Sequence, residues 1–297
     1  MGGAAADHLN MHDENIQPAY KAPHGTCDTH FHVFGPLDRY PVASRARYEP
    51  PPAPLEDYLA LARKLGVERM VFVQPSAYGT DNTYMLESMA RVNVPCRGIV
   101  DIDENVPDEL IESLHVRGVR GVRINTSPIA PFDAARPQAL APRVKTLARR
   151  LKDHGWVLEF LGPGWLTHAM MPLMRELEID YILCHIGMFL AKAGPEQPGF
   201  SEMIELAEHG RCWLKLTAPY RFAVAPRFEG AATMVQALVN AVPNRLIWGS
   251  DYPHLSFADA VGSVQLFNLL GEWVPDEGLR RKILVGNPEK LFGFAAA

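Results

Sequence analysis

The sequence lacks a charge excess of one sign, a long apolar run and any close pair of cysteines, and each absence removes a class of function. Lysine and arginine number 29 against 34 aspartate and glutamate in 297 residues, a formal charge of −5. There is no basic field of the kind that neutralises a phosphate backbone, so nucleic acid is not an expected partner. The apolar runs are strand-sized, far short of the ~20 residues of a membrane helix, so no membrane span is expected. The opening residues MGGAAADHLNMHDEN show no basic region followed by an apolar core, hence no secretory signal. Cys27, Cys96, Cys184 and Cys212 stand apart. That spacing excludes a CxxC metal knuckle or redox pair and suits buried thiols in a reducing cytoplasm. No GxGxxG follows the first strand-like run, which removes the usual dinucleotide motif.

What is present is a rhythm. Short β-branched or aromatic runs occur at Thr26–Phe34, Arg69–Gln74, Cys96–Ile102, Gly118–Asn125, Trp156–Gly162, Tyr181–Gly187, Cys212–Thr217 and Arg245–Asp251. Runs such as RMVFVQ, YILCHIG and RLIWGSD are nearly continuous, as strands buried on both faces are. Between them, LEDYLALARKLG has helical spacing and a Gly stop, and PQALAPRVKTLARRLKDHG ends in a basic turn and Gly155. FSEMIELAEHG and GAATMVQALVNAV repeat the pattern before the last two strands. Strands alternating with helices predict βαβ units and a parallel sheet. Eight units fit an α/β fold of one closed (β/α)8 barrel over residues 25–297, preceded by a flexible arm over 1–24. The stretch EPPPAP (49–54) is expected to be a rigid loop over the barrel mouth.

In such a barrel the chemistry sits at the C-terminal strand ends. The first strand ends in His30-Phe-His32, and alternation puts both imidazoles on one face, where they could hold a metal or an anionic substrate. Strand six ends in Cys184-His185, and strand eight in Trp248-Gly-Ser-Asp251. A carboxylate closing a buried apolar run is costly without a partner or a task. The three strand ends converge on one axis.

These residues carry a resemblance. THFHVFGP, ILCHIG and WGSDYPH, with VFVQPSAYGTDN, RGVRGVRIN, WLKLTAPYR and VGNPEKLF, resemble the amidohydrolase superfamily. The match, from about Cys27 to Phe292, is to the branch of 2-pyrone-4,6-dicarboxylate lactonase and the sugar lactonases. The resemblance implies hydrolysis of a lactone in aromatic or sugar-acid catabolism. Asp251 would be the general base that takes a proton from water and returns it to the leaving oxygen. His185 would polarise the carbonyl, with His30 and His32 contacting the substrate beside it.

No metal is implied as required. One Zn²⁺ on His30, His32, His185 and Asp251 is the alternative. Strand four ends in GVRIN without a lysine, which speaks against a carbamylated-lysine binuclear centre, while Glu159 in WVLEFLG could be a ligand or could face the helix layer. Arg123 at the end of strand four and Arg221 just after strand seven are candidate carboxylate clamps, pointing to a small acidic substrate. Tyr48 and Ser76 occupy the positions that supply hydroxyl contacts in the resembled lactonases. His254, three residues after Asp251, is a further substrate-side candidate or one that orients the aspartate.

Two departures bear on substrate. INTSPIAPF has no charge until Asp133 where the dicarboxylate lactonases carry a further basic residue, and FLGPG lacks their strand-five Tyr. A related lactone with fewer carboxylates or more hydroxyls is therefore expected. A zinc-dependent decarboxylase and a sugar-acid lactonase or lactone isomerase are the rival activities, although relatives of the isomerase type lose the strand-eight Asp kept here. A monomer or homodimer in the cytoplasm completes the expectation.

Overall fold

Each of the eight apolar runs forms a strand, and each strand is followed by a helix. The computed structural model describes residues 15–297 apart from Pro226. The units are β1 (Cys27–Phe31) with α1 (Leu55–Leu65), β2 (Arg69–Val73) with α2 (Thr83–Met89), β3 (Cys96–Val100) with α3 (Asp108–Val116), and β4 (Val119–Asn125) with α4 (Arg136–Leu151). They continue with β5 (Val157–Leu161) and α5 (Gly164–Arg175), β6 (Tyr181–Leu183) and α6 (Phe200–His209), β7 (Cys212–Leu216) and α7 (Ala231–Ala241), and β8 (Leu246–Trp248) and α8 (Ser263–Trp273). Two short helices, α9 (Glu277–Arg281) and α10 (Asn287–Phe292), end the chain.

The strands lie side by side in sequence order, with parallel pairing from β1 through β8. The sheet curls round until β1 meets the chain leaving β8. There Thr29 Oγ1 donates to Trp248 O at 2.7 Å, Asp251 N to His30 O at 2.8 Å, and His32 N to Tyr252 O at 2.8 Å. Gly249 sits at this seam: a Cβ on it would stand 2.6 Å from His30 N, so the two backbones approach only because no side chain intervenes.

The helices bury one stripe each. On α1 the buried residues are Leu55, Tyr58, Leu61, Ala62 and Leu65, and the helix stops at Gly66, whose φ of 74° lets Val67 N donate back to Ala62 O. A separate apolar cluster with Val71, Ile99, Val157, Ile182, Trp213 and Ile247 fills the lower barrel, and Leu291, Phe292 and Phe294 close its floor. The barrel is thus packed solid at the strand N-termini, leaving its mouth to carry the polar groups.

Of the arm expected over residues 1–24, the first 14 lie outside the described residues. Residues 15–24 form no helix or strand, yet they are docked rather than loose where Tyr20 stacks on Phe267 with ring centroids 4.5 Å apart and Ala19 N donates to Asn268 Oδ1. Among the described residues no helix is long and apolar enough to cross a membrane.

Candidate active site

Three strand ends meet at one carboxylate. Asp251 Oδ1 lies 3.2 Å from His30 Nε2, 3.8 Å from His32 Nε2 and 4.0 Å from His185 Nε2. Its other oxygen, Oδ2, accepts from the Tyr220 hydroxyl at 2.6 Å and from Arg221 Nε at 3.3 Å. The side chains reach this point through unusual backbone: φ is 57° at Asp251, 53° at His185 and 47° at Ala218. A left-handed conformation costs an L-residue roughly 1–2 kcal/mol, so three of them clustered at strand ends mark a place where surrounding structure holds the chain against its preference.

Protonation follows from burial and partners. Burial drives the His30 imidazole down to about 4, with Lys215 adding to the effect, and drives His32 and His185 well below the ordinary histidine value. All three rings are neutral at pH 7. Burial opposes ionisation of Asp251, but Arg221, His185 and the hydrogen bond from His30 outweigh it and hold the carboxyl well below the usual range. His32 Nδ1 faces Val73 O at 2.8 Å and must donate to it, leaving a lone pair on Nε2. His185 Nδ1 is 2.6 Å from Thr217 Oγ1.

Above these groups opens a cavity of ≈340 Å³. His32, His185 and Asp251 form its base, and Arg123, Arg221, Tyr48 and Ser76 stand in its walls. The structure therefore brings together seven of the nine residues singled out in the sequence. Two are placed elsewhere. His30 is fully buried and does not line the cavity, so it stands behind Asp251 rather than beside a substrate. His254 is turned away, with Nδ1 3.2 Å from the Tyr220 hydroxyl and Nε2 2.7 Å from Ser263 Oγ, so it braces the tyrosine and is not a wall residue.

Glu159 is neither on the helix side nor at the cavity surface. It is fully buried inside the barrel, its Oε2 2.5 Å from Lys215 Nζ and its Oε1 3.5 Å from Arg123 Nε. Burial opposes its ionisation, but Lys215, His30 and Arg123 hold it down to about 2. Lys215, Tyr220, Arg47, Asn125 and Ser127 were not foreseen as site residues. Arg47 comes from the long β1–α1 connection, and Asn125 and Ser127 follow Arg123 at the end of β4. A lysine inside an apolar strand was the one available signal, in CWLKL.

His30, His32 and Asp251 hold ligand atoms within 4.8 Å of one another, a spacing on which a small ion could close. The surrounding charge does not fit that use. Arg221 already contacts Asp251, and the Lys215 ammonium lies 3.1 Å from His30 Nδ1, so a divalent cation would enter beside two positive groups.

A parallel barrel with imidazoles and a carboxylate gathered at its mouth is the amidohydrolase arrangement, and the amidohydrolase family model matches residues 27–294: the chain belongs to that family. Among its relatives, the 4-sulfomuconolactone hydrolase of Rhizobium radiobacter is 35% identical over 279 residues, spanning 93% of this chain and 92% of that one. The 2-pyrone-4,6-dicarboxylate hydrolase of Comamonas testosteroni is 27% identical over 96% of this chain and 95% of its own. A crystal structure described as a probable 2-pyrone-4,6-dicarboxylic acid hydrolase from Acinetobacter baumannii, with citric acid bound, superimposes with a TM-score of 0.79 at 25% identity, covering 91% of this chain and all of that one.

Proposed function

We propose that the protein hydrolyses a small lactone bearing acidic groups, with Asp251 as general base and no required metal. The observation that carries this reading is the ionised Asp251 carboxylate set against neutral imidazoles at the base of a cavity whose walls hold three arginines. The names of the relatives, which act on a sulfonated muconolactone and a pyrone dicarboxylate, support the same substrate class.

Water enters between Asp251 Oδ1 and the lactone carbonyl. Asp251 takes a proton as the oxygen attacks, and the charge that builds on the carbonyl oxygen is met by His185, whose Nε2–H is available when Nδ1 accepts from Thr217. The ring C–O bond then breaks, and Asp251 returns the proton to the leaving ring oxygen, giving a hydroxy acid. Arg123 and Arg221 receive one acidic group of the substrate. Where INTSPIAPF offers only Asn125, Ser127, Pro128 and Ile129 to the cavity, Arg47 on the opposite connection supplies a third cation. The four free thiols suit a reducing compartment, and we place the enzyme in the cytoplasm.

The test pairs elemental analysis of the purified protein with turnover on a panel of acidic lactones before and after chelation. Ring opening by metal-free protein is expected. Activity lost on chelation and restored by zinc would overturn the metal-free mechanism, and no turnover of any acidic lactone would overturn the substrate class.

A further inference from the structure

Lys215 is a cation in the middle of a buried strand, and the ester chemistry has no use for a positive charge beneath the cavity floor. Its side chain is wholly buried and does not line the cavity. An ammonium carries three N–H bonds and no lone pair. Lys215 Nζ meets three acceptors: Glu159 Oε2 at 2.5 Å, Thr29 O at 2.8 Å and His30 Nδ1 at 3.1 Å. Donors and acceptors are therefore matched one to one.

The third contact constrains His30. Because Lys215 can only donate, Nδ1 of the neutral ring must accept, and the single ring proton must be on Nε2. That nitrogen lies 3.2 Å from Asp251 Oδ1 and has no other partner, so its proton stands beside the base. The other tautomer would set an N–H against an ammonium at 3.1 Å and turn a lone pair towards a carboxylate, with the nearest alternative acceptor, Glu159 Oε1, at 3.6 Å.

We propose that Lys215 is a positioning residue: through Nδ1 it fixes His30 as the Nε2–H tautomer, which sets the ring N–H beside Asp251 and withholds the Nε2 lone pair from any metal ion. The proposal rests on Asp251 being the base. Glu159 is part of the device, since it anchors the ammonium in place. A histidine that serves as a ligand through Nε2 must carry its proton on Nδ1 and needs an acceptor there. With Lys215 removed, Glu159 becomes that acceptor, and the same His30, His32 and Asp251 become a site for a cation.

The experiment has two arms. In the unaltered protein, ¹⁵N-histidine NMR at neutral pH, with His30 assigned from a His30→Gln variant, is expected to show Nε2 protonated and Nδ1 unprotonated. A proton on Nδ1 would overturn the proposal whether or not a lactone substrate is in hand. In Lys215→Met, the His30 tautomer is expected to reverse and calorimetric zinc affinity to rise at least about tenfold. Lactone kcat should fall about 10- to 100-fold with KM little changed, as when an outer-shell partner of a functional histidine is lost. An unchanged tautomer in a folded variant would overturn the role of Lys215, and should the variant fail to fold, the unaltered protein decides alone. If the tautomer and zinc results hold while no lactone turns over, the catalytic reading fails and the positioning of His30 stands.

Discussion

Tyr220 donates to the same oxygen of Asp251 that Arg221 contacts, at 2.6 Å against 3.3 Å. The tyrosine is thus the nearer of the two donors to that oxygen. Losing a hydrogen bond to a charged acceptor costs about 1.5–3 kcal/mol, so Tyr220→Phe is expected to raise the Asp251 pKa and move the acid limb of kcat/KM to higher pH. A profile that superimposes on the wild type would remove Tyr220 from this role.

Asp251→Asn keeps the shape of the side chain and removes its basicity. Its circular dichroism should match the wild type while turnover falls about a thousandfold, in line with loss of a general base. Retention of more than about a tenth of the wild-type rate would show that another group takes the proton.

Arg123 is buried against Gln74 O at 2.9 Å and still reaches the cavity, so its geometry is fixed before a substrate arrives. Arg123→Met is expected to raise KM for an acidic lactone about 10- to 100-fold with kcat little altered, the mark of uniform binding. Arg47→Ala should act in the same direction and more weakly, because that residue is exposed. A fall in kcat alone would instead place the guanidinium on the charge that develops during reaction.

Stability should decline on mild acidification. Burial lowers His30 and His254 to about 4 in the folded chain, whereas an unfolded imidazole titrates near 6.5. Above pH 6.5 neither state binds the proton and the groups have no effect. Between 6.5 and 4 the unfolded chain binds protons that the folded one refuses, so stability falls with falling pH, by up to about 1.4 kcal/mol per unit for each group. Urea midpoints at pH 7 and pH 5 measure this, and a higher midpoint at pH 5 would contradict it.

The barrel was legible because each strand is a run of apolar residues and α1 closes on a glycine that can turn left-handed. His185 and Asp251 were visible for a related reason: a polar residue closing an apolar run is a local anomaly. The Glu159–Lys215 pair was not, because β5 and β7 are not neighbours in the sheet and no local pattern links positions on them. Tyr220 reads in sequence as one more core aromatic. Of the two readings of His254, the substrate-side one fails, since positive φ at both Asp251 and His254 turns the side chain towards Ser263, while its contact with Tyr220 agrees with a part in orienting the aspartate.

The seam that closes the barrel joins residues 219 apart in sequence, Thr29 and Trp248, and the same few hydrogen bonds bring Asp251 to His30. On the ribosome, His30 and His32 are made early and must wait for almost the whole remaining barrel before the carboxylate they serve exists. A chain interrupted before β8 would carry imidazoles without a base and an unpaired β1 edge, inert as a catalyst and open to sticking. Reactivity therefore begins only when the ring of strands is complete, and the appearance of turnover during synthesis would report closure itself.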